Sequence, residues 1–383
     1  MSGDRKLSTH LIHHGRGSRR TVHPPVERAS TVLLPSAADL YTQKRSPYGR
    51  MGHGLHRELE EALCELEGGM FARLTPNGLS ACTLAISSLV SNGDHLLVSD
   101  NIYGPTRRFC ERHLTRMGVE VSFFDPRCGA GIENELRDNT AAIAMESPGS
   151  LTFELHDLPA LLSVTRPRGI ASMLDNTWSA GIVHKPLSFG VDLSVQALTK
   201  YVVGHADAFG GAVIAGNEGA ANRLDATADD YGFSLGPEEA WSALRGLRTL
   251  PQRLKLHEHA ALELAEHLSC HPAVDQVIHP ARSDHPDHAI WKRDFTGSSG
   301  LFAIELKPIR PAEVNAALDR LELFGFGFSW GGFESLAIPC DPQLKRTCSR
   351  RGAHGPLLRI HAGLEDTGDL IADLDQALGT LLR

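Results

Sequence analysis

Six short apolar runs alternate with helical patterns through the first part of this chain, and that alternation constrains the fold more than any other feature. The runs are His95–Ser99, Val119–Phe124, Ala141–Met145, Ile170–Leu174, Leu193–Leu198 and Phe209–Ala215. They read as continuous apolar segments, not as an in/out alternation, so both faces of each predicted strand must be covered. Helical patterns fall between several of them, at Leu79–Val90 and Pro105–Met117, for example. Strands alternating with helices dictate a mostly parallel sheet sandwiched by helices. A chain of 383 residues also exceeds what one hydrophobic core usually holds, about 250–300 residues, so a second unit is expected.

The flanking segments fill in that division. Residues 1–50 are rich in Pro, Gly, Ser, Arg and His, show little periodicity and read as an extended arm. Leu55, Leu59, Ala62, Leu63 and Leu66 then follow helical spacing, and Gly68-Gly69 ends that helix. A long helical stretch is predicted over Pro237–Cys270 as a link between units. Beyond it come a strand at Gly300–Leu306, an amphipathic segment at Ala312–Leu321, a strand at Leu357–His361 and a terminal helix. Leu370, Leu374, Leu378 and Leu381 keep one face of that helix apolar. The expected organisation is an arm (1–50), a larger α/β unit (51–246) and a smaller C-terminal unit (247–383).

Composition removes several functional classes. The net charge is −8 with both signs interspersed, so no basic footprint for nucleic acid is present. No run of eighteen apolar residues occurs, which argues against a membrane helix. The polar N-terminus lacks the apolar core of a secretory signal. Seven cysteines without a CxxC pair suggest neither a disulfide framework nor a zinc ribbon, and a reducing cytoplasm fits best. Twenty histidines invite a metal reading: His53 and His56 are three apart and His267 and His271 four apart, so each pair could share a helix face. No acidic residue joins either pair at motif spacing, so no metal site is expected. GxxxxGK[ST] and GxGxxG are both missing, and no GxSxG nucleophile elbow at a strand-to-helix turn is expected.

The informative stretch is Ile170–Gly211. Asp175 ends one predicted strand, where ligand sites of open α/β sheets gather. Lys200 closes another, after Thr199, and lysine is rarely buried without a role. Burial exposes the neutral amine that a Schiff base needs. An acid at a strand end can hold a protonated pyridine nitrogen. A surface lysine and a helix-capping aspartate are the plainer reading of the same residues. Four other places carry weaker signals. In LTPNGLSAC, Asn77-Gly78 turns into a helix starting at Leu79; the N–H groups of a helix start form a phosphate site, and an ordinary β-α turn is the plainer reading. Tyr103 in NIYGP is placed to lie over a flat ring, and Tyr48 and Arg50 in SPYGRMG to reach a phosphate. Arg359 sits within an apolar strand and requires an anion, either a substrate carboxylate or a structural acid.

Taken in order, YGRMG, DNTW, QALTKYVVGH, LRGLRTLP, WKRDFTGSSGLF, FSWGGFESL and RIHAGLED resemble the Cys/Met-metabolism family of pyridoxal-phosphate enzymes. The likeness runs from Leu7 to the C-terminus and is strongest to its bacterial β-lyase branch. Trp330 follows the serine of the SxGG segment where γ-class relatives usually carry leucine, and Ser150 stands in place of their Asn-Pro. The resemblance implies fold type I, the aspartate-aminotransferase-like architecture. That is a mostly parallel seven-stranded sheet in the large unit and a smaller α/β C-terminal unit.

The resemblance also implies the cofactor, pyridoxal 5'-phosphate, and roles by matching motif. Lys200 would carry it as a Schiff base and later shuttle the proton. Asp175 would pair with its ring nitrogen and Tyr103 would stack on the ring, assisting amine deprotonation. Gly78, Leu79 and Thr199 would bind the phosphate. Tyr48 and Arg50 would reach it from a neighbouring subunit, with Tyr48 also beside the substrate. Arg359 would clamp the substrate α-carboxylate, with Ser329 and Trp330 close by. The implied reaction is α,β-elimination of a cysteine thioether such as L-cystathionine to a thiol, pyruvate and ammonia, by a homo-oligomer, a dimer of dimers. Two departures stand out: Ala197, where many members use serine, and Trp241 in place of a tyrosine, which could reshape the distal pocket. The alternatives are a γ-lyase or γ-synthase of the same family, a nicotinamide oxidoreductase, and an inactive binding relative.

Overall fold

In a computed structural model of the chain, the apolar runs assemble side by side into one sheet. The structure describes residues 6–15, 20–42, 47–348 and 355–382; parts of the expected arm, with Ser46 of SPYGRMG, lie outside them. The sheet contains β1 (Phe71–Thr75), β2 (His95–Ser99), β3 (Glu120–Phe124), β4 (Thr140–Glu146), β5 (Ala171–Asp175), β6 (Leu193–Gln196) and β7 (Gly211–Ala215). Their spatial order is β1-β7-β6-β5-β4-β2-β3, and β7 alone is antiparallel to its neighbours.

Helices cover both faces because each strand sends apolar side chains both ways. On β4, Ala142 and Ala144 point into one cluster while Ile143 and Met145 point into another. The helices are α1 (Leu7–His13), α2 (Gly54–Glu67), α3 (Gly78–Ser87), α4 (Gly104–Phe109), α5 (Leu158–Thr165), α6 (Pro186–Phe189), α7 (Glu218–Tyr231), α8 (Pro237–Leu247), α9 (Leu250–Ser269), α10 (His288–Asp294), α11 (Pro311–Leu318) and α12 (Thr367–Leu378). α3 and α7 share the first cluster and α5 the second.

A four-stranded antiparallel sheet follows, in the order β10-β11-β9-β8, from β8 (Val274–Ile278), β9 (Leu301–Leu306), β10 (Leu336–Pro339) and β11 (Leu357–His361). α9, α11 and α12 pack on it around Leu264, Phe302, Ile360 and Leu374. β8 and β10 were not expected from the sequence. Both are edge strands, and β8 leaves Asp275 and Gln276 exposed, so neither shows a continuous apolar run. The stretch expected as one helix divides at Arg248–Thr249, where Pro251 starts α9. Pro105–Met117 is likewise divided: α4 passes into a π segment at Cys110–Leu114 and a 3₁₀ turn. Among the described residues no helix is long and apolar enough to cross a membrane.

Candidate functional site

The carboxyl ends of β4 and β5 and the turn after β6 bring Glu146, Asp175 and Lys200 together, each acting electrostatically on the others. Asp175 is buried. Its carboxylate accepts hydrogen bonds from the Thr177 amide (3.1 Å), the Thr177 hydroxyl and the Cys82 thiol (3.4 Å). Burial raises its pKa, and the Thr177 bonds oppose that shift. Lys200 is only partly exposed, and its Nζ donates to Ser329 Oγ at 2.7 Å. Burial, reinforced by the Arg359 charge, lowers the lysine pKa to about 8, while Asp175 and Glu146 pull it the other way. The result is an amine about half neutral near pH 8, where an ordinary lysine is almost wholly charged.

The start of α3 forms a cradle beside these groups. Asn77 caps the helix through the Ser80 amide at 2.9 Å. Among the described residues the Gly78 and Leu79 amides have no acceptor, leaving two inward-turned donors for an anion. A side chain at Gly78 would meet Ala197 Cβ at 2.5 Å, so Ala197 and Gly78 close against each other. Thr199 Oγ is already tied to Gly210, accepting from its amide and donating to its carbonyl, both at 3.1 Å. A buried acid, a near-neutral amine and an amide cradle fit the three faces of pyridoxal phosphate: ring nitrogen, carbonyl carbon and phosphate.

Arg359 lies on β11 of the second sheet and is buried, with its guanidinium donating to the Ser329 carbonyl at 3.0 Å. Ser329 takes φ +85°, a strained conformation for a non-glycine residue. It thereby presents its hydroxyl to Lys200 and its carbonyl to Arg359. The Lys200 ammonium stands 5.1 Å over the Trp330 ring, and Trp330 packs against Tyr201. Tyr103 is 43% exposed and shares with Arg359 a cavity of about 570 Å³. Burial pushes its phenol pKa up. Tyr48 is not in that cavity. It lines a separate one of about 980 Å³ with Glu27, His53 and Arg57, and the Arg50 guanidinium donates to the Met51 sulfur at 3.5 Å. Within one chain, these two residues are not brought to Lys200.

Trp241 takes no part in the cavity beside Tyr103; its indole donates to the Pro24 carbonyl at 3.2 Å and its ring lies 5.3 Å from His23. Neither histidine pair shares a helix face, because His53 is the N-cap of α2 and His271 lies beyond the end of α9.

Several supporting residues escaped the sequence reading. Arg253 of α9 is buried and donates to the carbonyls of Tyr201 (2.8 Å), Val202 (3.3 Å) and Gly246 (2.7 Å), fixing the chain just after Lys200. A Cβ at Gly204 would strike that guanidinium, which is why the turn needs glycine there. Glu146 accepts from the Tyr103 amide at 2.5 Å and so sets the start of α4. Buried Glu67 accepts from Asn176 and Gln196, at the ends of β5 and β6. LRGLRTLP, just before Arg253, was visible as a motif, but nothing local in it announces these distant partners.

Comparison with known proteins gives a consistent result. The family model described as Cys/Met metabolism PLP-dependent enzyme matches residues 8–379. A putative cystathionine beta-lyase of Rhizobium johnstonii is 42% identical, over 97% of this chain and 95% of its own length. The cystathionine beta-lyase MetC of Escherichia coli is 41% identical, over 99% of this chain and all of its own. Among solved structures, cystathionine gamma synthase of Xanthomonas oryzae pv. oryzae in complex with cystathionine superposes with a TM-score of 0.90, at 28% identity over 98% of both chains.

Proposed function

Because the chain belongs to the family of Cys/Met metabolism PLP-dependent enzymes, we propose that it is a carbon–sulfur β-lyase that cleaves L-cystathionine to homocysteine, pyruvate and ammonia. The observation that carries the reading is the Lys200 amine, held near neutrality between buried Asp175 and buried Arg359. A γ-lyase or γ-synthase would use the same residues, and the higher identity to β-lyases decides against it.

Bound pyridoxal phosphate supplies an electron-withdrawing ring that takes up charge from the substrate α-carbon. The chain's own groups do the rest. Asp175, kept in place by Thr177 and Cys82, would hold the ring nitrogen, and Gly78, Leu79 and Thr199 would hold the phosphate. Arg359 clamps the α-carboxylate beside Ser329 and Trp330, which fixes the Cα–H bond toward Lys200. Lys200, as its neutral amine, would remove that proton. The electron pair forms a Cα=Cβ bond as the Cβ–S bond breaks, and Lys200 returns the proton to the departing sulfur. The released 2-aminoacrylate hydrolyses to pyruvate and ammonia. Tyr103, in the cavity with Arg359, would stack on the ring and assist deprotonation of the incoming amine.

The rest of the reading follows from the same residues. Tyr48 and Arg50 would serve a neighbouring subunit's site, which requires at least a dimer and suits a dimer of dimers in the cytoplasm. That Tyr48 lines a different cavity from Tyr103 and Arg359 of its own chain supports this. The break between α8 and α9 supports a division into a cofactor unit (51–246) and a C-terminal unit (247–383) behind the arm (1–50).

The test is to incubate the purified protein with L-cystathionine and identify the keto acid. Pyruvate is expected. 2-Oxobutyrate would assign the γ-reaction, and racemised amino acid without keto acid would also overturn the proposal. Lys200→Ala should abolish both pyruvate release and the yellow colour of the loaded protein.

A further inference from the structure

The cavity that holds Tyr103 and Arg359 is lined by more positive charge than one carboxylate clamp uses. Its cations are Arg107, Arg108, Arg112, Lys345, Arg346 and Arg359, and its one acidic residue is Glu111. Most of them are committed. Buried Arg107 pairs with Asp100 at 2.8 Å and with Glu111 at 3.0 Å, and Lys345 pairs with Glu111. Arg346 bonds to Thr152 and faces Glu154 at 3.9 Å. Arg108 and Arg112 differ. Both are exposed, and among the described residues neither makes a hydrogen bond or ion pair. They flank the junction where α4 passes into the π segment Cys110–Leu114, a geometry concentrated at functional sites. Two like charges lining one cavity without a counter-charge repel each other, a cost that an anion placed between them removes.

We propose that Arg108 and Arg112 form an outer anion site that binds a second carboxylate, at the far end of a cysteine thioether whose α-carboxylate is held by Arg359. This rests on the β-lyase reading and specifies its substrate class. The preferred substrates carry a carboxylate on the sulfur substituent, as cystathionine does, and plain S-alkyl cysteines are poor ones. Arginine suits the role because its planar fork matches a carboxylate and stays charged at every working pH. Glu111 offers little to a distal ammonium, because its oxygens are already occupied by Arg107 and Lys345.

The experiment compares S-(3-carboxypropyl)-L-cysteine with S-butyl-L-cysteine, two thioethers of similar length that differ in the terminal carboxylate. Pyruvate release is followed with the loaded enzyme, and with Arg108→Gln, Arg112→Gln and the double variant. The wild type should favour the carboxylate substrate roughly tenfold, through KM and not kcat, as expected of two partly screened ion pairs. That preference should weaken with added salt and fall toward one in the double variant, with Arg108→Lys restoring part of it. S-butyl-L-cysteine turnover reports whether each variant is folded. Equal use of both substrates by the wild type, or a ratio that survives the double substitution, overturns the outer site while leaving the β-lyase reading intact. Failure of both thioethers to give pyruvate overturns the two together.

Discussion

At the scale of single residues, the site is set by what burial does to three ionisable groups. Lys200 loses hydration and gains the field of Arg359, and its pKa falls to about 8. An ordinary lysine would be almost wholly protonated at pH 8. Capture of pyridoxal phosphate by the cofactor-free protein needs the neutral amine. Its rate should therefore climb about tenfold from pH 7 to pH 9 and then level off. Stopped-flow absorbance would follow this. A rate still rising through pH 10 would show an unperturbed lysine. Asp175 and Glu146 are pushed up by burial, and the Asp175 charge raises Glu146 further, so Cys82 and Thr177 matter as donors that keep Asp175 charged. Arg359, by contrast, donates to the Ser329 carbonyl, and in the proposed reaction the substrate carboxylate would supply its anion.

At the scale of elements, the cofactor cradle is a close approach of α3 to the end of β6. Gly78→Ala would push its new methyl into Ala197, at 2.5 Å from that Cβ, with backbone 3.1 Å away. Loosening of the cofactor by about tenfold or more is expected, since ~1.4 kcal/mol is a tenfold change. A titration of the apoprotein would show it, and Ala197→Gly in the same chain should restore part of the affinity. An unchanged affinity would mean that the helix start does not hold the phosphate. The elements themselves were largely readable in the sequence. The runs at His95–Ser99, Ala141–Met145 and Leu193–Leu198 became central strands, because a strand covered on both faces must be apolar throughout. β8 and β10 were not readable, because edge strands need only one covered side. Lys200, Asp175 and Arg359 were found because ionisable residues stand out at the ends or middles of apolar runs. Arg253, Glu146 and Arg107 were not, because what makes them matter is a partner far along the chain, such as Thr347 beside Arg107.

For the whole molecule, the twenty histidines acquire a meaning after all. His184, His279 and His361 are driven down to about 3, and His156, His257 and His285 to about 4, burial being the main cause in each case. Unfolded, each would titrate near 6.5. Below that pH the unfolded chain binds protons that the folded one refuses, so stability must fall as pH drops from about 6.5 toward 4. Each histidine contributes up to about 1.4 kcal/mol per pH unit. Buried Glu67, Glu146 and Asp175, with raised pKa values, oppose the trend but are fewer. Urea midpoints should therefore drop clearly between pH 7 and pH 5; a flat profile over that window would contradict the buried, neutral assignment.

Arg253 has a wider consequence. Its guanidinium sits on the helix that supports the second sheet, yet its bonds end on carbonyls of the lysine turn and of α8. The two sheets thus share a rivet placed directly behind the reactive amine. Loosening either one withdraws support from the other, so the molecule melts as a single cooperative body, and damage at the far sheet registers as lost chemistry before it registers as lost shape.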